Sequence, residues 1–277
     1  MIKSPLRYPG GKSKSIKEIS NLIPSFSEYR EPFLGGGSVF IYLKQKFPNK
    51  KFWINDLYQN LYLFWKELHD DADKVIFQVN KWKHQFSDGK ILHKFLINHI
   101  EEFDDTTKAA AFFVFNRITF SGTTESGGYS NAAYHKRFTE SSIERVKLLS
   151  TILFNTKITN FDYQEVVEAP GKNVFIFLDP PYYSAKKSAL YGKNGILHKT
   201  FDHVRFSEIV KHLPHKWLIT YDDSEYIREL FSFAYIESWN KTYGMRNVNG
   251  STNNNGNELF IRNYKLEYKA PQIDLFN

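Results

Sequence analysis

The chain has 277 residues and a formal charge of +7, with 25 Phe, 17 Tyr and no Cys. Its hydrophobic share of 42 % can fill the core of one large domain, or of a medium domain carrying an insertion. Lack of cysteine excludes disulfides, thiolate catalysis and cysteine-ligated zinc, and the apolar run "AAAFFVF" at 109–115 is far short of the roughly 20 residues of a membrane span. The start, "MIKSPLRYPGGKSK", has basic residues with no apolar stretch behind them. It does not read as a secretory signal, and a cytoplasmic location is expected. The positive balance points to a polyanionic partner.

Early in the chain, "SKSIKEISNLI" places Ile16, Ile19, Leu22 and Ile23 at helical spacing behind a serine that can cap. A strand ending at "YREPF", the loop "LGGGS", the helix "VFIYLKQKF" and the strand "KFWIND" follow, with an acid at the end of the last. From about Tyr58 to Leu153 the pattern becomes long and mostly helical, broken by the polar loop "TFSGTTESGGYSNAAYH" at 119–135. "SSIERVKLL" restarts a helix, with Ser141 and Glu144 spaced as a capping box. Beyond it, "TKITNFD" and "NVFIFLD" read as strands and "FSEIVKHL" as a helix, and "KWLITY", "SEYIRELF", "FAYIESW" and "ELFIRNY" complete an alternating series. "NGSTNNNGN" at 249–257 reads as a loop between two terminal strands. This order predicts an α/β fold, a doubly wound sheet formed by 1–57 and 151–277, interrupted by a mainly helical inserted domain at 58–150.

Ligands of open parallel sheets sit outside the carboxyl ends of the strands. Three such ends carry candidates. In "EPFLGGGS", Gly35, Gly36 and Gly37 let backbone approach a ligand, and the helix that follows offers free amides. Asp56 lies about twenty residues further on, at the next strand end, where a carboxylate can grip ribose hydroxyls. Together these point to a nucleoside-type cofactor. At the third end, "NVFIFLDPPYY", Pro180 and Pro181 stiffen the turn after Asp179 and leave its carbonyls as acceptors. A carboxylate and a neighbouring carbonyl form a clamp for an NH₂ group on an aromatic ring, and Tyr182 supplies a flat face for that ring. With both hydrogens held, the nitrogen lone pair is localised and nucleophilic.

"DPPY" after an apolar strand, "EPFLGGGS" early in the chain and "LRYPGGK" near its start resemble, in that order, the DNA adenine methyltransferases that use S-adenosylmethionine; "NRITFSG" and "LITYDDSEYIREL" extend the likeness. The order of motifs is similar to that of the branch with its target-recognition domain between the cofactor motifs and "DPPY". The resemblance implies a class I methyltransferase sheet of Rossmann-like form, S-adenosylmethionine as methyl donor, no metal, and a flipped adenine in double-stranded DNA as acceptor. It implies cofactor contacts from Tyr8, Lys12, Glu31, Phe33 and Gly35, with Tyr8 and Lys12 at the methionine end, Asp56 on the ribose, Asp162 beside the cofactor's adenine, and Asp179 bordering cofactor and target. Asp179, Pro180 and Tyr182 would be catalytic. A monomer, with a companion restriction enzyme as a further partner, fits this picture.

Sequence reading is expected from the inserted segment, whose stretch 116–137 mixes polar and basic side chains. Arg137 is assigned to phosphate, and Arg117, Ser121 and Thr123 to base edges, with Lys186, Lys187 and Lys193 as further candidates. The GATC-reading branch carries asparagine, glycine, leucine and a nearby arginine after the phenylalanine of this loop; here "FSGTTESGG" stands instead, so the resemblance does not carry a GATC target over. Two other readings use the same features: methylation of RNA or of protein amide groups, and a module that binds DNA or S-adenosylmethionine without turnover.

Overall fold

The computed structural model describes residues 1–122, 127–184, 201–242 and 255–266. Thr123, Lys186, Lys187 and Lys193 lie outside them.

The apolar runs form a seven-stranded sheet: β1 (Glu28–Glu31), β2 (Lys51–Asn55), β3 (Thr156–Thr159), β4 (Val174–Leu178), β5 (Lys216–Asp222), β6 (Tyr235–Thr242) and β7 (Asn255–Arg262), in the order β3-β2-β1-β4-β5-β7-β6. The first five are parallel to one another, whereas β7 runs antiparallel to both β5 and β6. β4 is buried at all five positions, as its unbroken "VFIFL" requires of a strand covered on both faces. From β1 the chain builds outward through β2 to β3, then returns to place β4 on the other side of β1. This reversal opens a crevice at the carboxyl ends of β1 and β4.

Helix α1 (Ile16–Leu22) precedes the sheet and α2 (Ser38–Lys46) links β1 to β2. Ser15 flanks α1 without a side-chain capping bond, so the expected serine cap is absent there. Between β2 and β3 run α3 (Gln59–Gln85), α4 (Gly89–His99), α5 (Asp105–Ile118), α6 (Asn131–Arg137) and α7 (Glu140–Ser150). Leu61, Phe64, Trp65 and Leu68 bury the first part of α3, the chain breaks helical geometry at Asp71, and Val75, Val79 and Trp82 bury the second part. These helices share one apolar core with the sheet: Trp65 meets Phe40 edge-on at 6.1 Å, and Phe64 stacks with Phe113 at 6.2 Å. Helix α7 begins earlier than the Ser141–Glu144 pattern predicts, because Thr139 N donates to Ser142 Oγ at 3.2 Å and sets the first turn. The polar stretch is also shorter as a loop than it reads. Asn116 and Arg117 are the buried end of α5, and Ser130 caps α6 by accepting from Ala133 N at 3.2 Å. α8 (Tyr163–Glu168) and the helices His203–Lys211 and Glu225–Leu230 complete the layers. Among the described residues no helix is long and apolar enough to cross a membrane.

One charged residue ties the central strand to its surroundings. Arg30, buried in β1, donates from Nε to Glu28 Oε1 at 2.6 Å, from Nη1 to the carbonyls of Val166 (2.9 Å) and Ala169 (2.6 Å), and from Nη2 to Pro170 O at 3.0 Å. It thereby fixes the connection from α8 to β4 against β1. Arg30→Ala is expected to lower unfolding stability by about 3–5 kcal/mol, since it takes a donor from three carbonyls, of which Ala169 O alone retains another in His215 Nε2, and from the Glu28 carboxylate. Urea denaturation measures this, and a loss below about 1 kcal/mol would show that the network is dispensable.

Candidate active site

A cleft of about 410 Å³ opens at the carboxyl ends of β1, β2, β3 and β4. Tyr8, Lys12, Glu31, Phe33, Gly35, Asp56, Asp162, Asp179, Pro180 and Tyr182 all line it. The sequence also picks out Arg117 and Arg137, which are not among the described residues that line the cleft.

Its floor is the turn after β1. Gly35 has φ +50°, and a Cβ there would approach Tyr8 Cε1 to 2.7 Å, so the turn requires glycine on both conformational and packing grounds. Gly35 N donates to Asp56 Oδ2 at 2.9 Å and Tyr58 N to Oδ1 at 3.0 Å. Burial pushes the Asp56 carboxyl up to about 6, against the pull of these two amides. Asp56 therefore holds the glycine turn as well as facing the cleft.

The residue before it was not singled out by the sequence. Asn55, 1 % exposed, donates from Nδ2 to Pro32 O (3.1 Å) and Phe161 O (3.0 Å), and its Oδ1 accepts from Phe161 N (2.8 Å) and Thr159 Oγ1 (2.8 Å). All four bonding capacities of the amide are used. One side chain thus joins the loops that carry Phe33 and Asp162. The available signal was a polar residue closing the buried strand "FWIN".

Glu31 is 3 % exposed, and its Oε2 accepts from Tyr29 Oη at 2.6 Å. Burial drives its carboxyl up to about 8; the Tyr29 hydroxyl opposes this, while the nearby Asp179 and Asp56 charges add to it. At the far end, Phe33 packs against Tyr163 (5.3 Å) and Phe201 (5.8 Å). Asp162 caps α8 by accepting from Gln164 N at 3.0 Å, and the same oxygen receives Arg205 Nη2 at 3.0 Å. Asp162 thus both caps a helix and borders the cleft.

At the β4 end, the Asp179 carboxylate is fully engaged. Lys12 Nζ reaches Oδ1 at 2.6 Å and Oδ2 at 2.7 Å, and Thr220 Oγ1 donates to Oδ1 at 2.7 Å. Lys12, 4 % exposed, also donates to Gly10 O at 3.1 Å and lies 5.0 Å from the Tyr182 ring centre. It bridges the N-terminal segment to the end of β4, a pairing the sequence did not anticipate. The turn behind is fixed by Asp222, whose carboxylate accepts from Tyr183 N at 2.8 Å and Ser184 N at 3.0 Å. No group of His, Asp and Glu able to hold a metal is present among the described residues.

The expected DNA-facing residues lie apart. Arg117, placed at base edges by the sequence, is only 4 % exposed at the end of α5; its Nη2 donates to Asn116 Oδ1 at 2.6 Å and its Cζ lies 5.7 Å from the Phe113 ring centre. Arg137 is exposed at the end of α6, and Ser121 belongs to the short 3₁₀ turn Phe120–Gly122.

Comparison with known proteins agrees with this geometry. The chain is 28 % identical over 212 residues to the type II methyltransferase M.MjaIII of Methanocaldococcus jannaschii, covering 69 % of this chain and 72 % of that one. It is 26 % identical over 274 residues to the type II methyltransferase M.CviBI of Paramecium bursaria Chlorella virus NC1A, covering 95 % and 100 %. A DNA adenine methylase of Vibrio cholerae is 24 % identical over 204 residues, covering 69 % and 70 %. The profile of the D12 class N6 adenine-specific DNA methyltransferases matches residues 8–245, from Tyr8 through the glycine turn, Asp56 and the "DPPY" strand end. With the sheet order and the cleft at its reversal point, this match makes the chain a member of the D12 class N6 adenine-specific DNA methyltransferases, on a Rossmann-like fold of the class I, S-adenosylmethionine-dependent kind.

Proposed function

We propose that the protein transfers a methyl group from S-adenosylmethionine to the exocyclic amino group of an adenine in duplex DNA, at a site chosen by residues 58–150. The observation that carries this reading is the opening of Asp179-Pro180-Pro181-Tyr182 into the same cleft as Glu31, Asp56 and Asp162. Its volume falls within the roughly 300–1,000 Å³ of small-molecule sites, and its carboxylates suit a ligand with cationic groups and ribose hydroxyls. S-adenosylmethionine, when bound, supplies an electrophilic methyl carbon.

In this reading, Asp56 grips the ribose, Phe33 and Asp162 flank the cofactor's adenine, and Tyr8, Lys12, Glu31 and Gly35 hold the methionine end. The target adenine leaves the base stack, at a cost of a few kcal/mol, and lies on Tyr182. Asp179 and the Pro180 carbonyl accept its two amino hydrogens. Lys12 contacts both Asp179 oxygens, and Oδ2, which accepts from Lys12 alone, keeps a lone pair for the amino group. The nitrogen lone pair forms the new N–C bond as the C–S bond breaks, and the Asp179 charge favours the positive nitrogen until it loses a proton. Orientation and electrostatics supply the rate, with no covalent protein intermediate. The enzyme would act as a cytoplasmic monomer; the type II designation of its relatives supports a companion restriction enzyme.

Asp179→Ala is expected to abolish label transfer from methyl-labelled S-adenosylmethionine to DNA while the protein stays folded; Asp179→Asn, which keeps one acceptor, should leave a small residue of activity. Turnover near wild type in the alanine variant would refute the clamp. Asp56→Ala should raise the S-adenosylmethionine Kd by roughly 10- to 150-fold, the equivalent of about 1.5–3 kcal/mol for a charged acceptor. Unchanged affinity by calorimetry would mean that the ribose lies elsewhere. For Glu31 the sign is fixed by charge. A cationic ligand favours the ionised carboxylate, so binding releases the proton held up to about pH 8, and affinity should climb with pH until it levels off above that value. Calorimetry in buffers of different ionisation enthalpy should detect proton release at pH 7 in the wild type and less in Glu31→Gln; equal release would assign the proton to another group.

A further inference from the structure

Arg205 lines the cleft from the first turn of the helix His203–Lys211. Asp202 caps that turn by accepting from Arg205 N at 2.9 Å, which fixes where the side chain starts. Nη2 donates to Asp162 Oδ1, 43 positions back in the chain, at 3.0 Å and to Gln164 Oε1 at 2.7 Å. The Gln164 amide is itself oriented, because its Nε2 donates to Glu168 Oε1 at 3.0 Å. The guanidinium carbon lies 5.3 Å from the centre of the Tyr163 ring, the same ring that packs against Phe33.

The ion pair is half-exposed, with 46 % of the Arg205 side chain and 38 % of the Asp162 side chain open to solvent, so it adds little to stability. What it fixes is a direction. An aspartate carboxyl turns broadly about its last torsion when nothing holds it. Here Oδ1 receives two donors, Gln164 N at 3.0 Å and Arg205 Nη2, while Oδ2 accepts no hydrogen bond among the described residues. Asp162 is thus divided into a held oxygen and an available one, on the lining of the cleft. Adenine presents a 6-amino donor, whereas a 6-oxo purine presents an acceptor at the same place. An available carboxylate oxygen attracts the first and repels the second, and a site built to bond an NH group rejects an analogue lacking it. A carboxyl free to turn would move its oxygens away from the mismatched base and blunt that preference.

Resting on the reading above, in which the cofactor's adenine lies beside Asp162, we propose that Arg205 is a positioning residue: by holding Asp162 Oδ1 it makes the site select a cofactor with a 6-amino purine over one with a 6-oxo purine. The test is calorimetric binding of S-adenosylhomocysteine and of S-inosylhomocysteine, its 6-oxo analogue, to the full chain. The wild type should prefer the amino ligand by roughly 10-fold or more, which is what a hydrogen bond to a charged acceptor contributes. Arg205→Gln, with its thermal midpoint as a check on folding, should shrink this ratio at least about threefold, through weaker binding of S-adenosylhomocysteine. Asp162→Asn keeps an oxygen that can cap α8 but sets an amide NH₂ where Oδ2 stands, so the preference should vanish or reverse. Adding Arg205→Gln to Asp162→Asn should not lower the ratio further, because Arg205 acts through Asp162. A wild-type ratio in Arg205→Gln, with or without an equal loss of both affinities, or a further drop in the double variant, would each overturn the positioning role. A wild type that binds both ligands equally would overturn it too, while leaving methyl transfer standing. Failure of the wild type to bind S-adenosylhomocysteine at all would instead overturn the functional reading, and that result is obtained first.

Discussion

The cleft depends on the buried amide of Asn55. Parallel strands are held to one another along their length by backbone bonds, but the loops leaving their carboxyl ends have no such ladder and must be placed by other means. Asn55 does this for two of them, donating to Pro32 and Phe161 and accepting from Phe161 and from Thr159 at the end of β3, all from the last position of β2. Because an amide has two donors and two acceptor lone pairs in one plane, the loops after β1 and β3 are fixed relative to each other as well as to β2. Asp56 continues the same construction by gripping the Gly35 amide. The glycine turn, the aromatic wall and Asp162 are positioned from this one corner, which is why two adjacent residues, one buried and one facing the cleft, do such different work.

At the other side of the switch point, cohesion and chemistry compete for the same atoms. Asp179 is held by Lys12 and Thr220, and that grip closes the N-terminal segment onto β4 and β5. A charged pair this well buried is stabilising only while both partners stay together, since each alone would be left in a poorly solvated place. In the proposed reaction the substrate amino group is a donor like Lys12, so the carboxylate stays satisfied when the two share it. Asp222, by contrast, is committed to two backbone amides behind Tyr182 and stiffens the turn.

Charge is distributed in opposite senses across the molecule. The cleft gathers Glu31, Asp56, Asp162 and Asp179, and two of these have carboxyls raised by burial, a state that a cationic ligand relieves. Arg7 and Arg117 are the inverse case, cations lowered by burial first and then by neighbouring arginines. The two regions meet at the segment from Arg7 to Lys12.

The sequence by itself determined the strands and most helices, because unbroken apolar runs such as "VFIFL" and helical spacings such as Val75-Val79-Trp82 are local patterns that the core only has to accept. It also determined the cleft lining at the "LGGGS", "WIND" and "DPPY" ends, since these residues sit at strand termini and the parallel order brings such termini to one edge. What tertiary structure decided were the partners. Asn55 looks like an ordinary strand residue until Pro32 and Phe161 arrive from other loops, and Lys12 meets Asp179 across 167 positions of chain. Arg117 reads as a surface cation in a polar stretch, yet α5 carries it inward where Asn116 binds both it and the backbone of Arg7. Periodicity reports which face of an element is apolar; it carries no information on which distant polar group will complete a hydrogen bond, and that choice was left to the packing of the whole chain.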